Sequence, residues 1–128
     1  MIYLDSSALV KRALVEAETV SLREWLGVKA PKVLYSSSLA RVEVVRAVRA
    51  RDEVAVTKAR AVIDDLELVE MTDTLLDDAA NLPYRLRSLD AIHLASALRL
   101  GEELDAFVAY DKRLLAAAEQ AGLRAESP

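Results

Sequence analysis

The sequence predicts an α/β fold with a parallel sheet covered by helices on both faces. Short apolar runs rich in strand formers alternate with longer amphipathic segments, and helix-capping residues stand where one gives way to the other. No internal repeat, low-complexity tract or linker interrupts the alternation. A chain of 128 residues fits one compact domain, residues 1–128, and is too short for two ordinary enzyme domains, so a single site is expected.

Ile2-Tyr3-Leu4 reads as the first strand, handing over at Asp5-Ser6-Ser7 to a helix from about Ser7 to Glu16. A second helix, from about Thr19 to Leu26, is expected to stop at Gly27, where a left-handed residue closes it. Val33-Leu34-Tyr35 is the second strand candidate, followed by Ser36-Ser37-Ser38 and a long helix to about Arg51. The next helix covers Val54 to Asp65, and Leu66 to Met71 reads as a strand. Thr72 or Asp73 then caps a helix from Thr74 to Leu82. Ser88 is a natural cap for an Ala- and Leu-rich helix from Leu89 to Leu100, closed by Gly101. Ala106 to Tyr110 is the last clear strand, Asp111 caps the final helix and Gly122 stops it.

The composition is 53% apolar and 30% charged with three Gly and three Pro, which fits a helix-rich globular protein and excludes a disordered or fibrous one. Cysteine is absent, which excludes disulfides and thiolate metal sites. No apolar run reaches the length of a membrane span, and Asp5 interrupts the start of the chain before a signal-peptide core forms, so a soluble cytoplasmic protein is expected. The net charge of −4 argues against a protein that coats nucleic acid nonspecifically. Its distribution softens that objection: Arg41, Arg46, Arg49 and Arg51 cluster, Lys11 and Arg12 follow Asp5, and Lys112 and Arg113 follow Asp111. For each of these cations a solvated helix face is the plain reading, and contact with a phosphate backbone the functional one.

Four acids carry the chemistry. Asp5 and Asp111 follow strands, where ligands of parallel sheets collect, and each also suits a helix cap. Asp90 falls in the first turn after Ser88, where a carboxylate meets the helix dipole favourably. Glu43 is least explained by local helix chemistry. It lies too late for a capping box with Ser38, its neighbours at i−4, i+4 and i+7 are Leu39, Ala47 and Ala50, and Arg46 is its local ion-pair candidate. Negative charges gathered in a cleft repel unless a cation offsets them, and an all-oxygen set suits Mg²⁺ or Mn²⁺ rather than zinc. His93, the only histidine, stands one turn beyond Asp90 and reads as a locally bonded core residue. Ser6 and Ser7 read first as caps of the first helix and second as hydroxyls that orient a water.

An all-carboxylate metal site supports metal-assisted hydrolysis of a phosphodiester best. There is no Ser-His-Asp set, glycine-rich phosphate loop or aromatic platform for bases. One rival is a non-catalytic α/β binding module whose acids cap helices or hold a structural ion. The other is a phosphoacceptor domain, which fits poorly because Asp5 is followed by serines rather than by a second acid.

Four motifs in order resemble the PIN-domain nucleases, and within them the VapC toxins of prokaryotic toxin–antitoxin pairs. They are Ile2-Tyr3-Leu4-Asp5-Ser6-Ser7-Ala8, Leu39-Ala40-Arg41-Val42-Glu43-Val44, Ser88-Leu89-Asp90-Ala91-Ile92-His93-Leu94-Ala95 and Tyr110-Asp111-Lys112-Arg113-Leu114, which span nearly the whole chain. The resemblance implies a three-layer α/β/α fold around a central parallel sheet of four to five strands. It also implies Mg²⁺- or Mn²⁺-dependent endoribonuclease activity, with Asp5, Glu43, Asp90 and Asp111 at the family's acidic metal-binding positions. RNA as substrate, a cognate VapB-like antitoxin that blocks the cleft, and a homodimer are implied as partners. Many relatives carry Thr two residues before the last acid, where this chain has Ala109, so Ser6 or Ser7 is the better candidate for a supporting hydroxyl.

Overall fold

A computed structural model describes residues 1–128. Five strands form one all-parallel sheet: β1 (Ile2–Leu4), β2 (Leu34–Ser37), β3 (Glu67–Val69), β4 (Ala106–Val108) and β5 (Ala125–Glu126), in the order β3-β2-β1-β4-β5. Seven helices connect them: α1 (Ser6–Ala13), α2 (Thr19–Lys29), α3 (Ala40–Arg51), α4 (Val56–Asp64), α5 (Asp73–Ala80), α6 (Ser88–Leu98) and α7 (Lys112–Gln120). The expected α/β class and helix-covered parallel sheet are therefore the observed ones.

Alternation along the strands sorts the core into two layers. Ile2, Leu4 and Val108 join Leu9, Leu22, Val44, Val48 and Ile63 on the face covered by α1–α4. Tyr3, Phe107 and Ala109 pack with Leu94, Leu114 and Ala118 on the face covered by α6 and α7. β1 is buried on both sides, as a central parallel strand must be, and all three of its residues are apolar or aromatic. The strand order reverses between β1 and β4, and the backbone N–H of Asp5 donates to Val108 O at 3.0 Å across that junction. A crevice at such a switch point is where open α/β sheets bind ligands.

Several expected boundaries shift for identifiable reasons. α1 ends at Ala13 rather than Glu16 because Leu14 is extended, and Thr19 Oγ1 ties the corner by donating to Lys11 O and accepting from Glu16 N–H. α2 runs through Gly27 to Lys29, so that glycine sits inside a helix, while Gly101 and Gly122 do adopt the left-handed φ of 61° and 90°. Ser36 and Ser37 belong to β2, where Ser36 Oγ donates to Leu4 O at 2.7 Å and satisfies its own burial. The helix expected from Val54 begins with a 3₁₀ turn over Glu53–Ala55, capped by Asp52. Thr72, not Asp73, caps α5 through the Leu75 N–H. Ser88 is the first residue of α6 rather than its cap, which falls on Arg87, whose side chain makes no capping hydrogen bond. β4 stops at Val108, and two-residue β5 was too short to be read from the sequence. No helix is long and apolar enough to cross a membrane.

Candidate active site

The four acids come from four elements and meet at the carboxyl end of the sheet in two groups. Asp5 is the cap of α1: its Oδ1 accepts from the Ala8 N–H at 3.0 Å and from Ser7 Oγ at 2.6 Å. It is 5% exposed, and burial pushes its carboxyl above the usual range, helped by the negative charge of Asp90 and opposed by Ser7, His93 and Ala8. Capping of α1 thus falls to Asp5 alone, and neither Ser6 nor Ser7 caps it.

Glu43 lies in the first turn of α3, on the edge of that helix's buried stripe of Ala40, Val44, Val45 and Val48. Ala47 and Ala50 prove exposed, so the stripe expected to isolate Glu43 is not a core stripe. Its partner is not Arg46: Glu43 Oε1 accepts from Ser6 Oγ at 2.6 Å and from His93 Nε2 at 2.7 Å. Burial alone would raise its carboxyl, but the bonds from His93 and Ser6, with the charge of Arg87, outweigh it and hold it below the usual Glu range.

His93 is buried, as expected, but its bonds are not local. Nε2 lies 3.0 Å from Ser6 Oγ as well as against Glu43, and Nδ1 lies 2.7 Å from the Tyr3 hydroxyl. Burial raises the Tyr3 phenol well above its ordinary range, so it stays a donor. Tyr3 therefore donates to Nδ1, which leaves the proton on Nε2 to face Glu43. A chain of bonds thus runs from β1 through α6 to α3 and fixes the Glu43 carboxylate.

Asp90 and Asp111 form the second group around Arg87, which sequence reasoning overlooked. Arg87 Nε and Nη2 each lie 3.2 Å from Asp90 Oδ2, and Nη2 lies 3.9 Å from Asp111 Oδ2. Asp111 also caps α7, accepting from the Leu114 N–H at 3.0 Å. The available signal was positional: Arg87 is three residues before Asp90, one helical turn, at the entrance to the helix. Of the flanking cations, Lys11 is engaged by Glu16 and Glu18, Arg49 by Glu53 and Arg51 by Glu16. Arg12 turns away from the acids toward Asp65 and lines a separate cleft with Arg23 and Lys58.

The donor set fits a hard divalent cation. Every donor is a carboxylate oxygen, and Asp5 Oδ2, Glu43 Oε2 and Asp90 Oδ1 receive no hydrogen bond from the protein. Asp5 in particular is a buried carboxylate whose charge is disfavoured by its surroundings and by Asp90, which a cation would reverse. No three of the acids stand in ligating positions toward one point, and the Arg87 guanidinium lies against Asp90 and Asp111.

The family model of the PIN domain matches residues 2–120. Ribonuclease VapC46 of Mycobacterium tuberculosis is 44% identical over 128 residues, spanning 99% of this chain and 97% of its own. Ribonuclease VapC47 of the same species is 41% identical over 132 residues, spanning 100% of this chain and 97% of its own. The crystal structure of M. tuberculosis VapC20, described as a sarcin-ricin-loop-cleaving toxin, superposes over the whole of both chains with a TM-score of 0.77 at 18% identity, a likeness of fold. The chain belongs to the PIN-domain family, among the VapC ribonuclease toxins.

Proposed function

We propose that this chain is an endoribonuclease toxin that hydrolyses phosphodiester bonds in cellular RNA, with Mg²⁺ or Mn²⁺ held by Asp5, Glu43, Asp90 and Asp111 directly or through water. The observation that carries the site is the pairing of β1 with β4 at the point where the strand order reverses, since Asp5 follows the first strand and Asp111 the second. Glu43 and Asp90 each stand in the first turn of a helix, α3 and α6, and Asp90 is close enough to Asp5 for its charge to raise that carboxyl. When bound, the metal would lower the pKa of an attacking water and offset charge on the leaving oxygen.

The protein's own groups have distinct tasks. Asp5, held by Ser7 and the start of α1, supplies a fixed buried charge. Glu43 is oriented by Ser6 and His93, leaving its second oxygen for the metal or a water. Arg87 occupies the acids' outer side, and its long exposed side chain is free to exchange them for the phosphate of an incoming RNA. A cognate VapB-like antitoxin restrains the activity, and the whole chain acts as one PIN domain, cytoplasmic and homodimeric, as in the family it resembles.

RNA cleavage in Mn²⁺ tests the reading. Asp5→Ala and Asp90→Asn are expected to abolish it, each by at least about a hundredfold, with circular dichroism unchanged. Undiminished cleavage by both would overturn the assignment. Absence of cleavage by antitoxin-free parent protein across several RNA classes would favour a non-catalytic binding module.

A further inference from the structure

A cleft of about 510 Å³ lies between α7 and the segment that joins α5 to α6. One wall is a single stripe of α7, in which Arg113, Ala116, Ala117 and Gln120 recur at helical spacing. The other is Pro83, Tyr84 and Arg85. No carboxylate lines it, although acids outnumber bases in the chain by 21 to 17. Neither Arg85 nor Arg113 is engaged in an ion pair, whereas Arg87, Arg99 and Arg124 all are. Tyr84 packs against the cluster that contains Leu114 and Ala117, which holds its ring in the wall of the cleft.

Each wall of the cleft continues along the chain into a residue of the acidic site, since Asp111 caps α7 and Arg87 lies against Asp90. Arg113 is two residues beyond Asp111, and Arg85 two residues before Arg87. From Arg113 to Gln120 the stripe runs about 10 Å at 1.5 Å per residue, room for one or two nucleotides. Two unpaired guanidiniums suit backbone phosphates, a fixed ring offers a face to a base, and the Gln120 amide offers both a donor and an acceptor to a base edge. Ala116 between them leaves the floor open.

We infer that this cleft is a nucleotide-binding subsite that seats single-stranded RNA beside the scissile bond, with Arg85 and Arg113 on phosphate, Tyr84 stacked on a base and Gln120 reading its edge. The inference rests on the ribonuclease reading above, and it makes Tyr84 and Gln120 determinants of which RNA is cut. Sequence alone offered no aromatic platform; here a single ring, fixed by packing, takes that place.

The test is fluorescence anisotropy of a labelled single-stranded oligoribonucleotide in EDTA, followed by mapping of cleavage sites in Mn²⁺. Arg85→Ala with Arg113→Ala is expected to weaken binding about tenfold or more and to flatten its salt dependence. Tyr84→Leu, which keeps the apolar contact but removes the ring, is expected to weaken it about tenfold, while Tyr84→Phe binds like the parent. An abasic substitution at the stacked position should weaken binding to the parent and make no further difference to Tyr84→Leu. Gln120→Ala should redistribute the cleavage sites. Parent-like affinity and cleavage sites in all of these variants would overturn the subsite while leaving the ribonuclease reading intact. A parent that neither binds nor cuts RNA would overturn both.

Discussion

The inner and outer halves of the acidic site are held in different ways. Asp5 and Glu43 are fixed by donors that are themselves fixed: Ser7 and the Ala8 N–H on Asp5, Ser6 and His93 on Glu43, and Tyr3 behind His93. Asp90 and Asp111 share one cation, Arg87, whose side chain is 77% exposed and whose contact with Asp111 is 3.9 Å. A buried network is costly to leave half-satisfied, whereas an exposed ion pair is worth little. The inner half is therefore preorganised, and the outer half is adjustable at small cost.

Removing His93 should break this contrast most. His93→Ala leaves the Tyr3 hydroxyl buried without an acceptor and frees Glu43, so a loss of about 3 kcal/mol in unfolding free energy is expected. Cleavage should fall by about ten- to a hundredfold at the same time. Chemical denaturation and RNA cleavage measured together check this, and parent-like values in both would show that the inner half does not depend on the network.

Arg87→Ala sharpens the contrast from the other side. Losing a cation that competes for Asp90 and Asp111 should tighten Mn²⁺ binding by about three- to tenfold, with stability changed by no more than about 0.5 kcal/mol. Weaker Mn²⁺ binding in calorimetry would mean that Arg87 organises the acids rather than standing in for the ion.

The smallest effect is expected away from the site, at the corner between α1 and α2. There Glu16 accepts from Lys11 at 3.2 Å and from Arg51 at 2.6 Å. Burial raises its carboxyl, but Arg51 and Lys11 outweigh burial and hold it below the usual Glu range. A depressed acid stabilises the fold fully above its unfolded pKa and ceases to do so as pH falls through the lower folded value. Glu16→Gln should therefore be less stable than the parent by under about 1 kcal/mol near neutrality, with the gap closing at acid pH. A gap that widens on acidification would reverse the sign.

The fold was legible because hydrophobic runs and caps agreed at the handovers, as at Leu4-Asp5, where the strand end and the cap were both read correctly, and at Asp111, where the cap was read correctly although the strand before it stops at Val108. The errors fall where local signals are silent or ambiguous. Gly27 reads as a stop but lies in a helix, and β5 has only two residues. Within the site, the sequence shows the four acids as isolated residues with local excuses, and the structure sorts them into two groups, Glu43 bonded to Ser6 and His93 beside Asp5, and Asp90 and Asp111 around Arg87. What it could not show is pairing across long separations: Glu43 with His93, fifty residues on, and His93 with Tyr3, ninety residues back. Local spacing offered Arg46 to Glu43 instead, and it offered nothing for Arg87 beyond a position one turn ahead of Asp90.

Mn²⁺ binding followed by the loss of its free electron paramagnetic resonance signal tests the central claim most directly, because it reads the site without requiring the right RNA. Saturable binding by the parent protein, lost in Asp5→Asn and weakened in Asp111→Asn while both variants stay folded, is the predicted result. Binding of equal strength in the parent and both variants, or none in the parent, would contradict a metal centre built from these four acids.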